Sequence, residues 1–152
     1  MKFLIYLSAI LISTASFTGC KTQKMKKKTT STEEATMIEA PSLFIDKTYT
    51  PNKDNSPYTI NAVRIAGDML SIDLQYSGGD KEHDFKLITN KMYMKSFPPK
   101  LNLFLEHNTN GDAARSIVKK TLIYNIANAK YPSENTKEVI IMIGDKSVSY
   151  KY

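Results

Sequence analysis

Tryptophan is absent from the 152 residues, and cysteine occurs once, at Cys20. A single thiol excludes an internal disulfide framework and any Cys-rich zinc module. Without indoles the chain lacks the best sugar-stacking side chain, and nine tyrosines are its main aromatic resource. Arginine is nearly missing too, with only Arg64 and Arg115, and only two histidines are present. Hydrophobic content is nevertheless 41%, enough for a packed core, which excludes wholesale disorder. The length allows one domain, or one domain with a tail.

Met1 and Lys2 precede an apolar run from Phe3 to Ile12. As a helix it would reach roughly 15 Å, about half a bilayer core, so it is too short to span one. Its proportions are those of a secretory signal. Ser16-Phe17-Thr18-Gly19-Cys20 follows and resembles the lipobox of bacterial lipoproteins, with Phe17 where leucine is commonest. That resemblance implies a diacylglyceryl group on the Cys20 thiol and cleavage just before it. Two or more acyl chains anchor a protein stably, whereas one binds only marginally. The alternative is an ordinary secretory signal, but no Ala-x-Ala-like trio is present. Residues 1–19 therefore read as a signal peptide. Residues 20–40 read as a lipidated cysteine with a Lys-rich flexible tether, and residues 41–152 as the folded domain.

The net charge of +6 looks at first like a nucleic-acid or anionic-surface signature. Its location decides otherwise. Lys2 leaves with the signal, and Lys21, Lys24, Lys26, Lys27 and Lys28 crowd behind Cys20. The remainder is neutral, its 15 acidic residues matched by as many basic ones. No clustered basic face is left for DNA or RNA, so no nucleic-acid partner is expected. The lysine run reads as a solvated tether, or as adhesion to anionic head groups beside the lipid anchor. Surface-export signals of some Gram-negative lipoproteins place acidic residues after the cysteine. Lysines there favour a periplasm-facing location, and the anchor is expected in the outer membrane.

From Leu43 onward the hydrophobic period is two. Leu70, Ile72, Leu74 and Tyr76 alternate with polar residues, as do Leu101, Leu103 and Leu105, and later Val148, Tyr150 and Tyr152. Further candidate strands cover 43–50, 59–66, 83–89, 121–126 and 138–144. Turn chemistry separates them at Gly67-Asp68, Ser77-Gly78-Gly79-Asp80, Pro98-Pro99, Asn110-Gly111-Asp112 and Gly144-Asp145-Lys146. Residues 112–120 allow one or two helical turns. The pattern predicts an all-β fold, a small antiparallel β-sandwich of immunoglobulin-like size, with an open barrel as the alternative.

Both histidines lie at strand ends beside carboxylates. If their loops share one end of the sandwich, Asp80, His83, His107 and Asp112 converge, and two imidazoles with carboxylates suit a divalent metal. The same residues also serve as turn formers and hydrogen-bonding struts. Residues 106–111 echo the start of an EF-hand loop, but Ile117 stands where a bidentate glutamate is required. Ser77 lies outside any G-x-S-x-G elbow, so serine hydrolysis is not expected.

Two segments taken together carry a resemblance. Tyr76 to Phe85 reads Y-S-G-G-x-x-x-H-x-F. His107 to Asp112 reads H-N-x-N-x-D and is followed by T-L-x-Y-x-I from Thr121. These resemble small Bacteroidota envelope lipoproteins of the NigD-like type, with a C-terminal β-sandwich and no established activity. In such relatives one cysteine follows the Gly-Gly pair and another lies two residues after the aspartate. Here those positions are Asp80 and Ala114. The resemblance implies that the two loops lie side by side. It implies no catalytic residue and no cofactor. The expectation is a non-enzymatic binding or structural module on a membrane anchor, with an envelope protein as partner. A divalent-metal-binding protein and a periplasmic inhibitor or accessory subunit of an envelope enzyme are the alternatives.

Overall fold

A computed structural model describes residues 39–52 and 55–152. The signal-like run, Cys20 and the five clustered lysines fall outside the described residues. Within the described part, alternation shapes the central strands over Met69–Gly78, Lys100–Asn108 and Glu138–Ile143. In β3 (Met69–Gly78) Leu70, Ile72, Leu74 and Tyr76 are buried while the residues between them are more exposed, because successive strand side chains point to opposite faces. β3 is the middle of a three-stranded antiparallel sheet, between β2 (Tyr58–Ala66) and β7 (Ser116–Asn125).

The second sheet runs in the order β1 (Phe44–Ile45), β4 (Asp84–Thr89), β6 (Lys100–Asn108), β8 (Glu138–Ile143), β9 (Lys146–Lys151). A short β5 (Tyr93–Met94) pairs with the first two residues of β6. The β-sandwich expected from the pattern is present. Not every pairing is antiparallel, since β1–β4 and β6–β8 run parallel. The apolar face of β3 meets Leu101, Leu103 and Leu105 of β6 and Val139, Ile141 and Ile143 of β8 in one core. These six residues of β6 and β8 are at most 2% exposed. Burial of each such side chain contributes about 1.5–3 kcal/mol.

Three expectations need correction. Residues 112–120 hold no helical turn. β7 starts at Ser116 and pairs with β3 along its whole length, from Gly78↔Ser116 to Met69↔Asn125. Ten cross-strand partners outweigh a weak local preference in a segment whose period Lys119 and Lys120 obscure. The expected strand over 43–50 shrinks to Phe44–Ile45, because Asp46 turns the chain. Its carboxylate accepts the Thr48 amide at 2.9 Å, and its carbonyl accepts the Tyr49 amide at 3.1 Å. β5 was not anticipated at all, being only two residues long.

The strand directions give the domain two distinct ends. The start of β7, the end of β3, the start of β4 and the end of β6 meet at one. The end of β7, the end of β4, β5 and the start of β6 lie at the other.

Candidate functional site

The first end holds both histidines. His107, near the end of β6, faces the core side with Leu101, Leu103 and Leu105, two residues apart along the strand. His83 precedes β4 and is 2% exposed, and His107 is 5% exposed. Aromatic rings enclose them. Tyr76 lies 4.4 Å from the His83 ring, and Phe85 stacks on His107 at 4.4 Å with an interplanar angle of 5°. Tyr76 and Phe85 form this wall because both sit at inward positions flanking the loop.

A chain of hydrogen bonds crosses the cluster. His107 Nδ1 lies 3.1 Å from the Ser56 carbonyl, His107 Nε2 lies 2.8 Å from His83 Nδ1, and His83 Nε2 lies 3.1 Å from Asp112 Oδ2. The proton positions follow from these partners. A carbonyl only accepts, so His107 Nδ1 carries a hydrogen. Burial, the largest influence, holds His107 below the ordinary histidine value against the opposing Ser56 and Pro57 carbonyls. Neutral His107 then presents a bare Nε2, and His83 Nδ1 must donate to it. That leaves His83 Nε2 facing a carboxylate oxygen.

Asp112 has no capacity to supply the missing proton. Its Oδ2 already accepts the amides of Gly79, Asp80 and Lys81 at 2.8, 3.1 and 3.1 Å, while Oδ1 accepts Ala114 N–H at 2.8 Å. The Ala114 amide first, then those of Lys81 and Gly79 and the His83 ring, hold the carboxyl well below the usual range despite its burial. These partners place a second proton on His83, making an imidazolium–carboxylate pair with both side chains sealed from solvent.

Of the four residues singled out from sequence, three side chains converge. Asp80 does not join them. It is exposed, and only its backbone N–H enters the cluster. Every ring nitrogen has a partner within the protein, and no group of three His, Cys, Asp or Glu among the described residues is placed to hold a metal ion. The loops carrying Asp80 and Ala114 do lie side by side, joined through opposite oxygens of Asp112. Lys81 Nζ ties them again by donating to the carbonyls of Asn110 and Gly111 at 3.1 and 3.2 Å. Asn110 and Gly111 have φ of +51° and +70°, the left-handed pair that an Asn-Gly turn supplies.

Sequence reasoning missed two contributors. Asn55 receives the His107 amide on its side-chain carbonyl at 2.7 Å and donates to the Leu105 carbonyl at 2.9 Å. Gly78 leaves room for the His83 ring, since a Cβ there would stand 2.7 Å from Cε1 and Nε2. Neither has a signal in sequence, one being fifty residues distant and the other reading as a turn glycine.

The chain is similar to known proteins. A family model, the NigD-like C-terminal beta sandwich domain, matches residues 42–151. No curated protein matches the chain. Among solved structures, it is similar to a NigD-like immunity protein from Bacteroides caccae at 13% identity and TM-score 0.50, covering 74% of this chain and 59% of that one. It is also similar to a protein of unknown function, DUF1344, from Bacteroides vulgatus at 18% identity and TM-score 0.49, covering 74% and 57%. The chain thus spans less than two thirds of the length of either protein. With the family model covering most of the sequence and the sandwich in place, this chain belongs to the family of the NigD-like C-terminal beta sandwich domain.

Proposed function

We propose that this is a lipid-anchored envelope protein whose β-sandwich is a non-enzymatic binding module. The observation that carries the non-enzymatic part is the closed histidine cluster. Four ring nitrogens and both oxygens of Asp112 are all engaged internally. A general base, nucleophile-activating pair or metal ligand needs at least one such atom turned toward a substrate or ion. The chemistry of the cluster is that of a clasp joining the loops around Gly79 and Gly111.

Anchoring is supported by the signal-like run, by the small residues before Cys20 and by the lysines after it. The anchor is assigned to the outer membrane, with the domain facing the periplasm and an envelope protein as its partner. One protein of similar fold is described as an immunity protein, which favours, as a second reading, a protective inhibitor over a purely structural module. Metabolic labelling with a palmitate analogue tests the anchor. Label is expected on the wild-type chain and absent from Cys20→Ala, and labelling that persists in the variant refutes it. Calorimetry with zinc tests the clasp, for which no stoichiometric binding is expected.

A further inference from the structure

The end of the sandwich away from the histidines carries an exposed apolar prominence. Met92 is 67%, Met94 43% and Phe97 96% exposed. This segment is held firmly. The Tyr93 ring packs on Tyr131 at 4.9 Å, and its hydroxyl donates to the carbonyls of Ala129 and Lys130 at 3.2 and 2.9 Å. Strand alternation then forces Met92 and Met94, on either side of Tyr93, outward. Phe97 stands at the mouth of a groove of about 590 Å³ whose other walls include Lys137, Lys151 and Tyr152. Lys95 and Lys100 are exposed close by in the chain. Glu138, also in the groove, already accepts the Ser149 hydroxyl at 2.6 Å.

The chain approaches from the histidine side, where Pro41 shares a pocket with Glu82, His83 and Asp84, and runs parallel to β7 and β4 toward this end. Leu43 N–H donates to the Asn125 carbonyl at 2.8 Å and Asn125 N–H to the Pro41 carbonyl at 3.0 Å, at the last residue of β7. β1 then pairs with Ile88 and Thr89, the residues that lead into the prominence.

We propose that this tip is a bilayer-contact surface. Met92, Met94 and Phe97 enter the boundary between head groups and acyl chains, and the surrounding lysines rest on anionic head groups. Apolar side chains alone would fit a protein partner equally well. The lysines beside them, Lys137 and Lys151 in the groove and Lys100 paired with Met94, favour anionic lipid. The orientation rests on the Cys20 anchor proposed above. Tethering supplies the local concentration, so the tip needs little affinity of its own.

The absence of native tryptophan makes the test clean. The full chain carrying Phe97→Trp is reconstituted into vesicles of phosphatidylethanolamine and phosphatidylglycerol, with and without dibrominated acyl chains. Ile117→Trp, at the histidine end and at a position 63% exposed in the native chain, is the comparison. The expected result is blue-shifted emission with strong quenching by brominated lipid for Phe97→Trp and none for Ile117→Trp. Adding Lys95→Glu and Lys100→Glu weakens the quenching. Equal quenching of both chains, or no quenching of Phe97→Trp while the chain sediments with the vesicles, overturns the proposal and leaves the anchor standing. Selective quenching that persists with Cys20→Ser supports the tip even if the anchor reading fails.

Discussion

Gly78→Ala offers the sharpest perturbation of the clasp. A methyl group at this position would lie 2.7 Å from both Cε1 and Nε2 of His83 and 3.1 Å from Asp112 Oδ2. Ordinary carbon contacts are about 3.5–4.0 Å, so the ring must retreat by nearly 1 Å. It has nowhere to go without loss. Hydrogen bonds of 2.8 and 3.1 Å hold its two nitrogens, and Tyr76 closes one side at 4.4 Å. Overpacking of a rigid site costs about 1–3 kcal/mol, and loosened bonds to a buried charge place this case at the upper end. A domain of this size should lose roughly 8–15 °C in Tm. The assay is urea and thermal unfolding of wild type, Gly78→Ala, His83→Ala and the double variant. In the His83→Ala background the two 2.7 Å contacts are gone and only Asp112 Oδ2 at 3.1 Å remains, so the glycine substitution should cost at least about 1 kcal/mol less than in the wild type, giving a clear coupling energy. An equal cost in both backgrounds, or a negligible one in the wild type, would refute the reasoning.

Acid should weaken the fold in two stages. His107 binds a proton less readily folded than unfolded, so stability falls as pH drops below its ordinary value of 6.5. A further loss follows below 3.8, where Asp112, Asp68 and Asp73, all held below that value, finally protonate. Urea midpoints against pH should show both stages, and His107→Gln should lack the first. At the alkaline end, burial pushes Tyr93 and Tyr124 up to about 12 and Tyr150 higher still. Their neutral forms stabilise the fold up to about pH 10, and this contribution declines above it. Absorbance titration should therefore find tyrosines that ionise only as the domain unfolds, and smooth ionisation of all nine near pH 10 would contradict their burial. Finally, Asp80→Cys with Ala114→Cys should form a disulfide under mild oxidation, because one carboxylate bridges the two loops. The chain-entropy gain is at most roughly 3–4 kcal/mol, and failure to oxidise would place the loops farther apart than described.

The sandwich was legible wherever a strand alternated over four or more residues, as at Leu70–Tyr76 and Leu101–Leu105. It was illegible where partners decide the conformation. The first half of β7 is a strand because β3 lies beside it, and β5 exists because two residues find the start of β6. The parallel pairings β1–β4 and β6–β8 leave no local trace. The site divides in the same way. Turn chemistry and the loop resemblance point to His83, His107 and Asp112, and those three side chains are in hydrogen-bond contact. Residue type alone did not say that Asp80 would contribute its amide rather than its carboxylate. The proton inventory needed distances, because one carbonyl, that of Ser56, fixes the tautomer of His107 and through it the charge on His83.

Side-chain nitrogen NMR of the histidines in the full chain tests the closed clasp most directly. The account predicts two protonated nitrogens on His83, and on His107 a protonated Nδ1 with a bare Nε2, all unchanged when stoichiometric zinc is added. A bare Nε2 on His83, or histidine signals that shift in proportion to added zinc, would contradict it.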